Sequence, residues 1–94
     1  MNRYSQLTHL ILDFYREDYA ELQQLRPLKL AKVYRRWGML RINCPDSQTV
    51  NALVGAFELL KEPVAQLRLA QNISFFVNGT LFMSLPVGSR KLVS

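Results

Sequence analysis

The chain is poor in the residues that most enzymes and metal proteins depend on. It has one cysteine, one histidine and one tryptophan in 94 residues. A lone Cys44 excludes an internal disulfide, and with a lone His9 it excludes an ordinary zinc set from a single chain. No apolar run approaches the ~18 residues of a membrane span. Met1 to Gln6 lack the apolar core of a signal peptide. No Walker loop, dinucleotide-binding glycine motif or nucleophile elbow occurs. His9 reads as a partly exposed helix residue. Cys44, before a proline at a strand end, reads as a small buried apolar one. The expectation is no enzyme, no metal and no cofactor. The chain reads as a cytoplasmic protein of a reducing compartment, without membrane insertion. The sequons Asn72-Ile73-Ser74 and Asn78-Gly79-Thr80 are then coincidental.

A further absence is local. No acid occurs from Leu22 to Pro45, while Arg26, Lys29, Lys32, Arg35, Arg36 and Arg41 fall in that interval, six of the twelve basic residues. The seven acids outnumber the six remaining bases by one, so the whole net charge of +5 is concentrated there. Tyr34 and Trp37 are interleaved with it. Local positive charge with aromatics suits phosphate contact and base stacking. A solvated edge strand, or pairing with the acidic side of the first helix (Glu17, Asp18, Glu21), accounts for the same charge without a ligand.

What is present is a patterned α+β chain. Its length predicts one domain over 1–94, with 1–3 and 88–94 loose. Roughly 65% of the unfolded surface is buried at this size, enough for one modest core. From Tyr4 to Leu25, Leu7, Leu10, Ile11, Phe14, Leu22 and Leu25 form a helical stripe that Asp18 interrupts. Pro27 stops that helix at Arg26 or just before. Leu28 to Trp37 fits a helix or a strand. The alternation of Leu40, Ile42 and Cys44 asks for a partner strand, which favours a hairpin turning near Trp37-Gly38. Asp46 or Ser47 caps a helix carrying Val50, Leu53, Val54, Phe57 and Leu60, in which Gly55 suggests a close backbone approach. Pro63 ends it at or before Glu62.

The stretch Leu67 to Val87 then alternates about Asn78-Gly79. A three-residue loop, 78–80, pairs Val77 with Leu81, Phe75 with Met83 and Ile73 with Leu85, all apolar; a two-residue loop scatters apolar groups over both faces. The other face then carries Phe76 opposite Phe82. The expected architecture is an antiparallel β-sheet with two helices on one face, in the order α-β-β-α-β-β.

Two aromatics on an otherwise polar face need a cover, from this chain's own helices or from a second subunit. The leading expectation is a small non-catalytic interaction or regulatory domain, a homodimer associating through Phe76 and Phe82. The alternative is a nucleic-acid-binding protein contacting phosphates through Arg26, Lys29, Lys32, Arg35, Arg36 and Arg41, with Trp37 stacking. An acidic protein surface is the third partner consistent with the charge.

Overall fold

A computed structural model describes residues 6–88. The tails expected to be loose lie outside them, apart from the exposed Gly88. The long N-terminal helix of the sequence reading is two helices, α1 (Gln6–Phe14) and α2 (Tyr19–Gln24). After Phe14 the chain tightens: Tyr15 and Arg16 donate to Leu12 and Asp13 three residues back, and Asp18 donates to Tyr15. Asp18 marks the break and stands at the N-cap of α2. The ambiguous segment divides. Pro27 opens a 3₁₀ turn over Arg26–Leu30, where its missing N–H costs nothing. The extended part becomes β1 (Lys32–Arg36). Trp37 and Gly38, both at positive φ, turn the chain into β2 (Met39–Cys44).

Asp46 caps α3 (Ser47–Gly55) by accepting from the Thr49 N–H at 2.8 Å. Ala56 separates α3 from α4 (Phe57–Gln66). Gly55 is exposed, with open space where a Cβ would stand, so it makes no close approach. Pro63 does not end α4 but lies inside it. A proline there leaves the carbonyl four residues back without its helical donor. That carbonyl belongs to Leu59, and the Tyr15 hydroxyl donates to it at 2.9 Å. A side chain 44 residues away thus supplies the bond the imino acid withholds.

α4 closes on Arg68. Leu69 N–H donates to Val64 O at 2.9 Å and Arg68 N–H to Ala65 O at 3.2 Å, the paired bonds of a Schellman motif. The residue at the left-handed position of that motif is usually glycine; here it is Arg68, at φ 54°. A side chain in this region costs about 1–2 kcal/mol. Leu67 to Gln71 therefore belong to a helix end and a turn, not to the strand expected from their alternation.

The chain finishes with β3 (Asn72–Val77) and β4 (Thr80–Pro86). The four strands lie in the order β1-β2-β3-β4. The two hairpins are antiparallel, but β2 and β3 run parallel, from Met39 beside Asn72 to Cys44 beside Val77. The sheet is mixed, which corrects the purely antiparallel expectation. The cause is the α3–α4 connection: it carries the chain back along one face, so β3 starts at the end where β2 started. Among the described residues the α-helices number four rather than two.

The β3–β4 register is also corrected at one place. Val77 pairs with Thr80, so the loop is the two-residue Asn78-Gly79, both at positive φ. From Phe75 inward the pairs are those expected: Phe75 with Met83, Ile73 with Leu85. A bulge reconciles the two. Phe76 faces Leu81, and Phe82 is the extra residue. The tight turn and the apolar ladder are both satisfied.

The helices all lie on one side of the sheet. Val33, Leu40, Ile42, Cys44, Ile73 and Phe75 face them and are buried. Ile11, Leu25, Leu28, Val50, Leu53, Leu60 and Val64 pack onto these strands in a single core. Phe75 is fully buried, edge-on to Phe57 with ring centroids 6.5 Å apart. No helix among the described residues is long and apolar enough to cross a membrane.

Candidate binding face of the sheet

The strand residues that alternate with the core point away from the helices. Register places them in three rows. Lys32, Asn43, Phe76 and Leu81 form one; Tyr34, Arg41, Ser74 and Ser84 the second; Arg36, Met39, Asn72 and Pro86 the third. Phe82, the bulge residue, extends the first row. No strand residue is acidic, so Lys32, Arg36 and Arg41 are not neutralised within the face. Leu81 and Phe82 remain 58% and 44% exposed.

The centre of this face is ordered. Arg41 lies over the Phe76 ring, 5.4 Å from its centroid, the geometry of a cation–π contact. Its Nε is shut from solvent and has no acceptor among the described residues. Ser74, buried between its neighbours, bonds the Ser84 hydroxyl at 3.0 Å and approaches the Met39 sulfur at 3.5 Å. Asn43 Oδ1 accepts from Gly79 N–H at 2.9 Å, tying the β3–β4 turn to β2. The result is a floor of small polar groups flanked by rings and cations, with the Arg41 guanidinium above Phe76.

The basic stretch read from the sequence does not form one patch. Lys32, Arg36 and Arg41 lie on the open face with Phe76 and Phe82. Arg35 alternates to the helix side, where its Nη1 donates to Leu69 O at 3.1 Å. Arg26 and Lys29 line a separate cleft of about 400 Å³ against α1 and α2, with Asp13 and Arg16. Arg26 donates to Gln23 Oε1 at 2.9 Å. Trp37 stands at the β1–β2 turn, 84% exposed. Among the described residues the ion pairs are Arg16–Asp13 and Lys61–Glu58, neither of which uses a cation of the stretch. Sequence reasoning put Ser74 on this face, opposite Ser84, but missed Tyr34 and Met39 as its neighbours there, and Arg68, which lies outside the basic stretch. The alternation through Tyr34 was the available signal; for Arg68 it was a helix end with no glycine to form it.

The titratable groups with displaced equilibria lie elsewhere. Cys44 is buried on the core side, and burial, with Asp46 nearby, pushes its thiol up to about 11. That is a poor nucleophile at neutral pH. His9 is exposed on α1. Among the described residues no group of three or more His, Cys, Asp or Glu is arranged to hold a metal ion.

No protein-family model matches the chain, no curated protein matches its sequence, and no solved structure matches it.

Proposed function

We propose that this protein is a non-catalytic binding domain that holds single-stranded nucleic acid across the open face of its sheet. The observation that carries the reading is the stack at its centre. Arg41 lies on Phe76 at 5.4 Å, in a face that also bears Lys32, Arg36, Tyr34 and Phe82 and has no acid. Cations contact phosphates regardless of sequence, and exposed rings accept any base. Exposed rings on an open sheet face suit unpaired bases better than a duplex, whose rings are already stacked. The chain acts as one domain over 1–94 in the cytoplasm. The single buried thiol and the pattern of one core fit that placement.

The test is fluorescence anisotropy with labelled single- and double-stranded oligonucleotides at low salt. Single strands bind more tightly, and affinity falls with log salt at a slope of about −0.7 per phosphate engaged. Replacing Lys32, Arg36 or Arg41 by alanine reduces that slope. Absence of binding to any DNA or RNA ends the reading, and a pull-down with and without nuclease then asks whether an acidic protein takes the face instead.

A second reading is self-association, carried by the exposure of Leu81 and Phe82 beside Phe76. Two open faces placed against each other would oppose Lys32, Arg36 and Arg41 with like charges. A second copy therefore packs beside β4, whose seven residues carry no charge. Sedimentation distinguishes the readings: a monomer at high concentration excludes the dimer and leaves nucleic-acid binding untouched.

A further inference from the structure

At one end of the sheet a groove of about 730 Å³ opens between the strands and the C-terminal end of α4. Arg35, Arg68, Gln71 and Asn72 contribute polar groups to its wall, and none of the described residues lining it is acidic. Asn72 and Pro86 line the groove and also belong to the third row of the open face. The two surfaces are thus continuous around the sheet end. Gly38, on the groove wall, follows Trp37 directly, so the exposed indole stands at the junction.

The two arginines are placed differently. Arg35 spends one N–H on Leu69 O at 3.1 Å, which fixes its guanidinium against the wall with other donors unused. Arg68 is held in the left-handed position that ends α4, at φ 54°, where glycine is the unstrained residue. Folding alone favours glycine there. The chain instead presents a cation to an acid-free groove, next to a second cation and two side-chain amides.

We infer that this groove takes a phosphate monoester, held between Arg35 and Arg68, and that in the bound state this is the terminal phosphate of the strand lying on the open face. The second half rests on the nucleic-acid reading above; the first does not. A guanidinium fork can donate two parallel hydrogen bonds to a pair of phosphate oxygens, and a monoester carries more charge than the diesters along a strand. Asn72 and Gln71 supply amide donors at the rim, and the last base meets Trp37.

The experiment uses the full chain, its Arg68→Gly variant and three probes: inorganic phosphate, a hexanucleotide with a terminal phosphate, and the same hexanucleotide ending in hydroxyl. Inorganic phosphate is expected to shift the amide resonances of Gly38 and Arg68 at millimolar concentration. The phosphorylated hexamer binds about tenfold more tightly than the hydroxyl-ended one, the scale of one charged hydrogen-bonding group, and quenches Trp37 more strongly. In Arg68→Gly the tenfold preference disappears while the melting temperature rises by several degrees, because the strain is relieved. A purely structural Arg68 would change stability without changing the preference. Equal affinity for the two hexamers, with no phosphate-induced shifts, overturns the inference and leaves the open face standing. If neither hexamer binds, the nucleic-acid reading fails, and the phosphate titration decides the groove alone. Shifts that vanish in Arg68→Gly keep it as a site for a free phosphate monoester; no shifts remove it.

Discussion

Replacing Tyr15 by phenylalanine removes one oxygen atom and leaves one carbonyl in trouble. The hydroxyl donates to Leu59 O at 2.9 Å, and Leu59 is the residue whose helical donor Pro63 cannot provide. Tyr15 is itself 7% exposed, so water does not readily take the place of the lost donor. An unsatisfied carbonyl in such a position costs about 1–2 kcal/mol. For a domain this size, thermal melts then shift down by roughly 5–15 °C. The decisive assay is a double-mutant cycle with Pro63→Ala, followed by urea unfolding. Alanine restores an N–H at position 63, Leu59 O gains an intrahelical partner, and the cost of Tyr15→Phe drops below about 0.5 kcal/mol. The coupling between the two sites is then ~1 kcal/mol, well above the error of additivity for independent positions. Equal losses in both backgrounds would refute the claim that Tyr15 exists to serve the proline. The same residue sets an alkaline limit. Burial first, then Glu62, Glu21 and Asp18, push its pKa from 10.0 to about 12. Above pH 10 the unfolded chain gives up this proton while the folded one keeps it, so the stabilisation is complete below pH 10 and lost as pH rises toward 12. Tyr15→Phe lacks that limb of the profile.

Three further outcomes follow from named contacts. Arg41→Met removes a shielded, unpaired Nε and keeps an apolar body on Phe76; stability stays level or rises in urea titration, while affinity for single strands falls at least fivefold. Cys44, with its thiol pushed up to about 11, stays unreactive toward a disulfide reagent at pH 8 in the native state and reacts fully in denaturant; rapid labelling of the folded chain would contradict its burial. Asp46 has a lowered pKa because the Thr49 N–H and hydroxyl hydrogen-bond its carboxylate. Its stabilisation is present above the unfolded value of 3.8 and disappears as pH falls through the lower folded one; Asp46→Ala lowers the melting temperature at pH 7 and flattens the acid limb measured by circular dichroism.

Local chemistry made parts of this fold legible. Asp46 marked a helix start because few residues can receive the free N–H groups there. Trp37-Gly38 and Asn78-Gly79 marked turns because few sequences tolerate positive φ. The pairs Phe75–Met83 and Ile73–Leu85 followed from which faces must be apolar. What escaped depended on contacts distant in sequence. Pro63 reads as a helix stop in any local window, and only the Tyr15 hydroxyl, arriving from another helix, makes it tolerable. The parallel β2–β3 pair was hidden because two hairpins joined by helices fit either strand direction until the path of the connection is known. The open face was half legible: Phe76 and Phe82 emerged as leftovers of the core assignment, but alternation along β1 splits the basic stretch, sending Arg35 to the helix side and Lys32 and Arg36 to the open one. Arg68 gave only the signal of a helix end lacking glycine.

The bulge at Phe82 has a consequence for how this hairpin tolerates change in length. Deleting Phe82 alone would close the ladder into an unbroken one: Thr80 still meets Val77, Leu81 still meets Phe76, Met83 still meets Phe75, and no other side chain changes sides. A shorter chain with the same interior is therefore available to this protein. The benzyl group it retains is redundant for construction, and its removal is felt only by whatever touches that surface.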